Sequence, residues 1–414
     1  MTRESTNKRG LQVGAARVEI TPPDLTELNP FGGGSFSAVH DPLHARVLLV
    51  DDGASTVALI AMDLAEVGDM TDLRARLGLE LMIPVENVAI NASHSHTAPR
   101  LGDVSPGALA HGGGPEQKAY TAWVYDRVLE AVRTARVALQ PARMGVGAGT
   151  ADVNINRDVR VGDRWELGEN QEGPSNKAVT VLRFDALDGT PIAVWFNYAV
   201  HSTVALWTGQ VSADLAGAAE RWVERELGRD VVALFTPGTL GDQAPRISLG
   251  TATDDAARDA AFAFDAVDAQ GAVLGAEVVR VVQAVDRTRS DVAVSAAERI
   301  VACPTKRGED VMSTMRQTQA SSVDVRLSLI RLGDVALAGV NGEVVTAIGR
   351  RIQAASPLVR TVVVSLVNDR VGYLVDDDAF DHNTFEARGC PVARGYAENT
   401  IVDGLLDMIE ESRR

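Results

Sequence analysis

The residues best suited to chemistry stand in Asn91-Ala-Ser-His94-Ser-His96-Thr-Ala-Pro99, directly after a strand-like run from Val88 to Ala92. In extended backbone, side chains two apart share a face, so His94 and His96 can address one centre. Neutral imidazole is a good zinc ligand, and near pH 7 it can also carry protons. Two ordinary loop histidines would show the same spacing, so His-x-His alone leaves both readings open. Two known metal frameworks use this pair. A metallo-β-lactamase centre needs His-x-His-x-Asp-His, and Thr97-Ala98-Pro99 breaks that pattern. An amidohydrolase-like barrel needs two later histidines and an aspartate. His111, His201 and His382 are the candidates, so that reading stays open.

His201 closes Trp195-Phe-Asn-Tyr-Ala-Val-His201, again just past a strand-like run. By itself it reads equally as a hydrogen-bonded histidine beneath a loop. Ser212-Ala-Asp214 then opens a helix, and Pro237-Gly-Thr-Leu-Gly241-Asp242 ends the next strand. Ligand sites in α/β proteins gather at such strand carboxyl ends. Glu343, in Gly339-Val-Asn-Gly342-Glu343, precedes an amphipathic helix over Val344 to Ile352. It serves there either a site or the helix dipole, as a first-turn acid.

These residues need a frame of alternating strands and helices. Strand patterns cover Val13–Thr21, Ala45–Val50, Val57–Met62, Met144–Val146, Ala178–Phe184, Ile192–Phe196 and Val231–Phe235. Helical periodicity covers Met70–Leu81, Glu116–Ala138 and Leu215–Leu227. Ala256–Val285 reads as one long helix or as a pair broken at Gly271 and Gly275. Asn29–Ser37, with its glycines and two aromatics, reads as a loop. Val57–Asp63 and Val335–Asn341 echo each other weakly, as α/β grammar alone would allow. The expected architecture is one α/β domain over 13–414, with mixed β-sheets flanked by helices, after a disordered leader at 1–12.

A net charge of −16 argues against nucleic acid, which requires clustered Lys and Arg, and against anionic membrane surfaces. No run approaches the ~20 apolar residues of a membrane span. Met1–Leu11 shows no secretory pattern, and Cys303 and Cys390, the only cysteines, suit a reducing compartment. The expectation is a cytoplasmic protein, with homo-oligomerisation left open.

Several motifs occur in one order: Val18–Pro23, Val39-His40-Asp41 to Arg46, Ser93–Thr97, Asn197–His201, Ser212–Asp214, Leu240–Asp242, Gly342-Glu343 and Val371-Gly-Tyr373. Together they resemble the catalytic domain of the neutral/alkaline non-lysosomal ceramidase family. The resemblance implies a zinc-dependent hydrolase of amide bonds. It assigns Zn2+ to His94, His201, Glu343 and Tyr373, leaves His96 unligated as a proton carrier, and makes Arg157, in Asn156-Arg157, the stabiliser of a developing oxyanion. His40 and Phe385 fall to support or substrate contact. Asp63, Asp214 and Asp242 are candidates to orient the histidines, with N-caps and turns the alternative. Two departures stand out. Ala244 replaces the family serine of Gly-Asp-x-Ser-Pro, which excludes a serine nucleophile there, and Phe385 replaces a tyrosine. The expected substrate is therefore a small or polar N-acyl compound rather than ceramide. An ester or lactone hydrolase on the same site, and a non-catalytic metal-binding homologue, are the alternatives.

Overall fold

The computed structural model describes residues 10–102, 113–306 and 320–414. Its longer strands are β1 (Gln12–Glu19), β2 (His44–Asp51), β3 (Thr56–Met62), β4 (Val88–Ala92), β5 (Gln140–Thr150), β6 (Asn154–Val161), β7 (Arg164–Asn170), β8 (Ala178–Ala186), β9 (Pro191–Tyr198), β10 (Val232–Pro237), β11 (Gln243–Pro245), β12 (Val294–Pro304), β13 (Ser322–Leu332), β14 (Val335–Val340) and β15 (Arg360–Val364). The helices are α1 (Thr71–Leu81), α2 (Pro115–Val137), α3 (Asp214–Leu227), α4 (Ala256–Ala284), α5 (Thr346–Ala355), α6 (Asp377–His382), α7 (Phe385–Arg388) and α8 (Ala397–Glu411).

One nine-stranded sheet runs β10-β9-β8-β5-β1-β2-β3-β4, with Thr288–Arg289 added beside β5. A four-stranded sheet runs β12-β13-β14-β15. Period-two alternation decides how they stack. On β3, Ala58, Ile60 and Met62 pack with α1 and α2, while Leu59 and Ala61 join the layer between the sheets. On β9, Val194, Phe196 and Tyr198 pack toward α3 and α4, while Ala193 and Trp195 turn to the other sheet. On β14, Ala336, Ala338 and Val340 meet the core of α5 and α8, and Val335 and Leu337 face inward. The result is helices, sheet, sheet, helices.

Three parallel pairs position the site: β3 with β4, β9 with β10, and β14 with β15. Each is a βαβ crossover, through α1, α3 and α5 respectively. The echoing segments are thus the first strands of two such units, and Pro191–Tyr198 begins a third. A barrel of eight consecutive βα units is overturned by these two separate sheets. Of its candidate histidines, His111 lies outside the described residues, and His382 ends α6, where it stacks on Trp165.

Order begins before residue 13: Leu11 is buried, its N–H donates to the Ser290 carbonyl, and β1 starts at Gln12. α4 is one helix. Gly271 and Gly275 do not break it but let α3 approach, since an added Cβ would lie 2.4 Å from that of Ala218 and 2.6 Å from that of Trp222. The β6–β7 hairpin was not expected, because its sequence, Asn-Ile-Asn-Arg-Asp-Val-Arg-Val, turns too few apolar residues to a core. At the outer edge of the large sheet, Asn368 claims Ile90: its side chain accepts from the Ile90 N–H at 2.8 Å, and its own N–H donates to the Ile90 carbonyl at 2.7 Å. Among the described residues, no helix is long and apolar enough to cross a membrane.

Candidate metal centre

The candidate ligands and His96 come from just beyond parallel strands. His94 and His96 follow β4, His201 follows β9, Glu343 follows β14 and Tyr373 follows β15. His94 and His96 do not converge through extended backbone. His94 has a left-handed φ of 63°, and the two rings meet edge-on at 90° with centroids 4.6 Å apart. They converge because the chain turns at His94 and is then pinned by the His96 N–H, which donates to the Ser202 carbonyl.

His94, His96 and His201 bring their ring nitrogens within 4.8 Å of one another. Backbone carbonyls fix the tautomers. His94 Nδ1 lies 2.8 Å from the Ala65 oxygen, and His201 Nδ1 lies 2.8 Å from that of Leu240 and 3.0 Å from that of Gln243. A carbonyl only accepts, so each Nδ1 carries a proton and each ring turns its Nε2 toward the site. Burial, then the Arg157 guanidinium, lowers the His201 pKa to about 3, which keeps that ring neutral. Both Nε2 atoms approach Glu343 Oε2, at 3.4 Å from His94 and 3.1 Å from His201. Two imidazole nitrogens and a carboxylate oxygen thus stand together in a fully buried setting, a donor set that suits a transition metal. Ligand atoms on a tetrahedral zinc with bonds of ~2.0–2.1 Å stand roughly 3.3 Å apart, so the spacing fits the ion as well as the donor types do.

His96 differs from its neighbours. Its Nε2 lies 3.1 Å from His94 Nε2, its buried Nδ1 has no partner among the described residues, and one face is covered by Phe31, parallel at 3.7 Å. Ligating histidines almost always donate their second N–H to a partner. Among the described residues, His94 and His201 have such a partner and His96 does not. Burial, then the adjacent His94 and His201, holds its pKa well below 6.5.

Arg157, on β6, is buried with three partners: Nε donates to Glu386 Oε1 at 2.7 Å, Nη2 to the Tyr373 hydroxyl at 3.1 Å, and Nη1 lies 3.3 Å from His201 Nε2. The Tyr373 hydroxyl is therefore held by Arg157, and burial raises its pKa above the ordinary 10. Phe385 meets the Tyr373 ring edge-on at 5.8 Å, and Arg157 sits 5.6 Å above its centroid.

The three aspartates do not orient the histidines. Asp63 accepts from the His44 N–H and Arg46, and Asp214 from the Val204, Ala205 and Leu215 N–H groups. Asp242 accepts from the Thr346 N–H and hydroxyl and from Asn156. They fix the turns that carry the site, because carbonyls already occupy the Nδ1 positions. His40 is exposed and stacks on Phe264 of α4, away from the buried imidazoles. Sequence reasoning missed Arg370, whose Nη2 donates to Glu343 Oε1 at 3.1 Å and whose Nε reaches Glu66 at 3.1 Å. It also missed Glu386. Arg370 stands three residues before Tyr373 and Glu386 follows Phe385, so closeness to recognised motifs was the only signal available.

These features define a class: two stacked sheets with a buried imidazole–carboxylate centre at the carboxyl ends of parallel strands. Residues 11–263 match the family model for the N-terminal part of neutral/alkaline non-lysosomal ceramidases, and the chain belongs to that family. Proteins named neutral ceramidase from Drosophila pseudoobscura pseudoobscura and Drosophila melanogaster are each 27% identical over 266 residues. Those alignments cover 57% of this chain and 36% of each relative, so the match spans little more than a third of their length. The crystal structure of neutral ceramidase from Pseudomonas aeruginosa superposes with a TM-score of 0.78 at 17% identity, over 98% of this chain and 75% of that one. A structure described as ceramidase complexed with C2 gives 0.78 at 16% identity. This likeness shows the fold.

Proposed function

We propose that the protein is a zinc-dependent hydrolase that cleaves the amide bond of a small or polar N-acyl compound. One observation carries the reading: the Nε2 atoms of two carbonyl-fixed imidazoles converge on one oxygen of buried Glu343. Family membership supports the amide bond as the target. His94, His201 and Glu343 would hold the ion, with the Tyr373 hydroxyl the fourth group that the resemblance implies. Zinc, when bound, supplies an activated water and a polarised carbonyl. His96, neutral and without a partner on Nδ1, would take a proton at Nε2 and return it to the leaving amine. Arg157 offers fixed positive charge where an oxyanion develops. Ala244, paired with Ile155 on β11, offers no nucleophile, and Phe385 offers no hydroxyl. Both departures favour a substrate other than ceramide. The buried free cysteines support a cytoplasmic setting.

Elemental analysis should find about one zinc per chain in the parent and in His96→Ala, and almost none in His94→Ala or Glu343→Ala. Turnover of small N-acyl amides should vanish in His96→Ala, while long-chain ceramide is turned over poorly by the parent. Lactones and esters in the same panel separate the neighbouring chemistry. Loss of zinc from His96→Ala would overturn the ligand assignment. Efficient ceramide turnover would overturn the substrate reading.

A further inference from the structure

Arg157 lies between two unlike surroundings. Its Nη edge meets His201 and Tyr373, while its Nε side is held from behind by Glu386 at 2.7 Å. Glu386 has no exposed surface and sits on the four-residue helix α7, capped by the Thr384 hydroxyl, which accepts from the Ala387 N–H. A guanidinium on a long side chain keeps one orientation only when its donors are tied down, and a carboxylate on Nε leaves the Nη pair pointing the other way.

A second carboxyl, Asp158, lies against Glu386 within hydrogen-bonding reach. Among the described residues, one buried oxygen of each, Asp158 Oδ1 and Glu386 Oε2, has no partner. Two carboxylates could not both stay charged there on one arginine, and a single proton between them would give each orphan oxygen a partner. Asp158 has no cation of its own, because Arg157 Nε is directed to Glu386, so the proton belongs on Asp158. Burial, then neighbouring Glu386, raises its pKa to about 9, in keeping with that placement.

We infer that Glu386 is a positioning residue for Arg157, with the Asp158 carboxyl behind it. It touches no reacting group. By holding Nε from behind, it keeps the Nη pair of the guanidinium directed at His201 and Tyr373. This deepens the hydrolase reading and rests on it for the catalytic consequence only.

Crystal structures of zinc-loaded Glu386→Ala, Glu386→Gln and Asp158→Asn test the placement directly. Arg157 should leave His201 and Tyr373 in Glu386→Ala and keep both contacts in Asp158→Asn, whose amide mimics the protonated acid. Hydrolysis of a short-chain N-acyl-4-nitroaniline tests the consequence. Glu386→Ala should lose about 10²-fold in kcat with KM and zinc content nearly unchanged, a loss of the size seen on removing one oxyanion donor. Glu386→Asp should restore part of it. A residue that only stabilised the fold would lower the melting temperature and leave kcat of the folded protein intact. Should Glu386→Ala not fold, Glu386→Gln carries the same comparison with a smaller loss. Arg157 unmoved in the Glu386 variants, or displaced equally in Asp158→Asn, overturns the inference. If the parent releases no nitroaniline, amide hydrolysis fails on this probe while the structures still decide the positioning.

Discussion

Arg46 and His201 are equally hidden from solvent, and each gathers carboxylates. Around Arg46, donors meet acceptors: Nη1 lies 2.9 Å from Asp63 and 2.6 Å from Glu220, and Nε donates to Glu224 at 3.2 Å. Around His201, an imidazole nitrogen, an arginine donor and a carboxylate oxygen converge. The Arg46 cluster ties β2 and β3 to α3. Burial and charge do not distinguish the two clusters; the donor types do, since imidazole nitrogens beside a carboxylate are the set that holds a transition metal.

The largest expected effect breaks the first cluster. Arg46→Met leaves Asp63 and Glu220 buried without their cation, while Glu224 keeps Arg17, and should cost about 3–5 kcal/mol in urea denaturation. A loss below about 1 kcal/mol would mean that the cluster does not hold the fold. An intermediate effect concerns pH. Burial alone would raise Asp63, but Arg46 outweighs it and holds the group below 3.8, whereas burial raises Asp242 to about 6 despite the hydrogen bonds from Thr346. The Asp242 contribution is therefore full below pH ~4 and lost as pH rises through ~6, by about 3 kcal/mol at most. Asp242→Asn should flatten the stability profile in that window. An unchanged slope there would assign it to other groups. The smallest effect sharpens the second cluster. Glu343→Gln removes the charge that buried Arg370 pairs with, so it should abolish zinc binding and lower the stability of the metal-free protein by about 1 kcal/mol in thermal melts. An unchanged or raised melting temperature would mean that the Glu343 charge is not held by Arg370.

Much of this was legible in sequence where a residue's own type or period carried the signal. Strands such as Thr56–Met62 showed their apolar faces, and His94, His201 and Glu343 stood just past such strands. Residues whose importance depends on a distant partner were not legible. Arg370 matters because Glu343 and Glu66 lie beside it, and Glu386 because Arg157 does, across 229 positions of chain. The β6–β7 hairpin escaped because paired backbone, rather than apolar periodicity, holds it. Asp63, Asp214 and Asp242 were assigned to imidazoles because sequence cannot show that main-chain carbonyls have already taken those nitrogens.

The hold of Asn368 on Ile90 bears on the behaviour of the chain as a colloid. β4 is the last strand of the large sheet, and an edge with free N–H and C=O groups is a template for a neighbouring molecule's strand. Here the segment after β15 consumes that edge, with a bridge from Val367 to Asn91 beside the Asn368 bonds. The same stretch of chain leads into Arg370 and Tyr373. Loosening it by heat or by a lesion in the second sheet therefore uncovers an adhesive edge at the moment the centre comes apart, so inactivation and self-association should set in together.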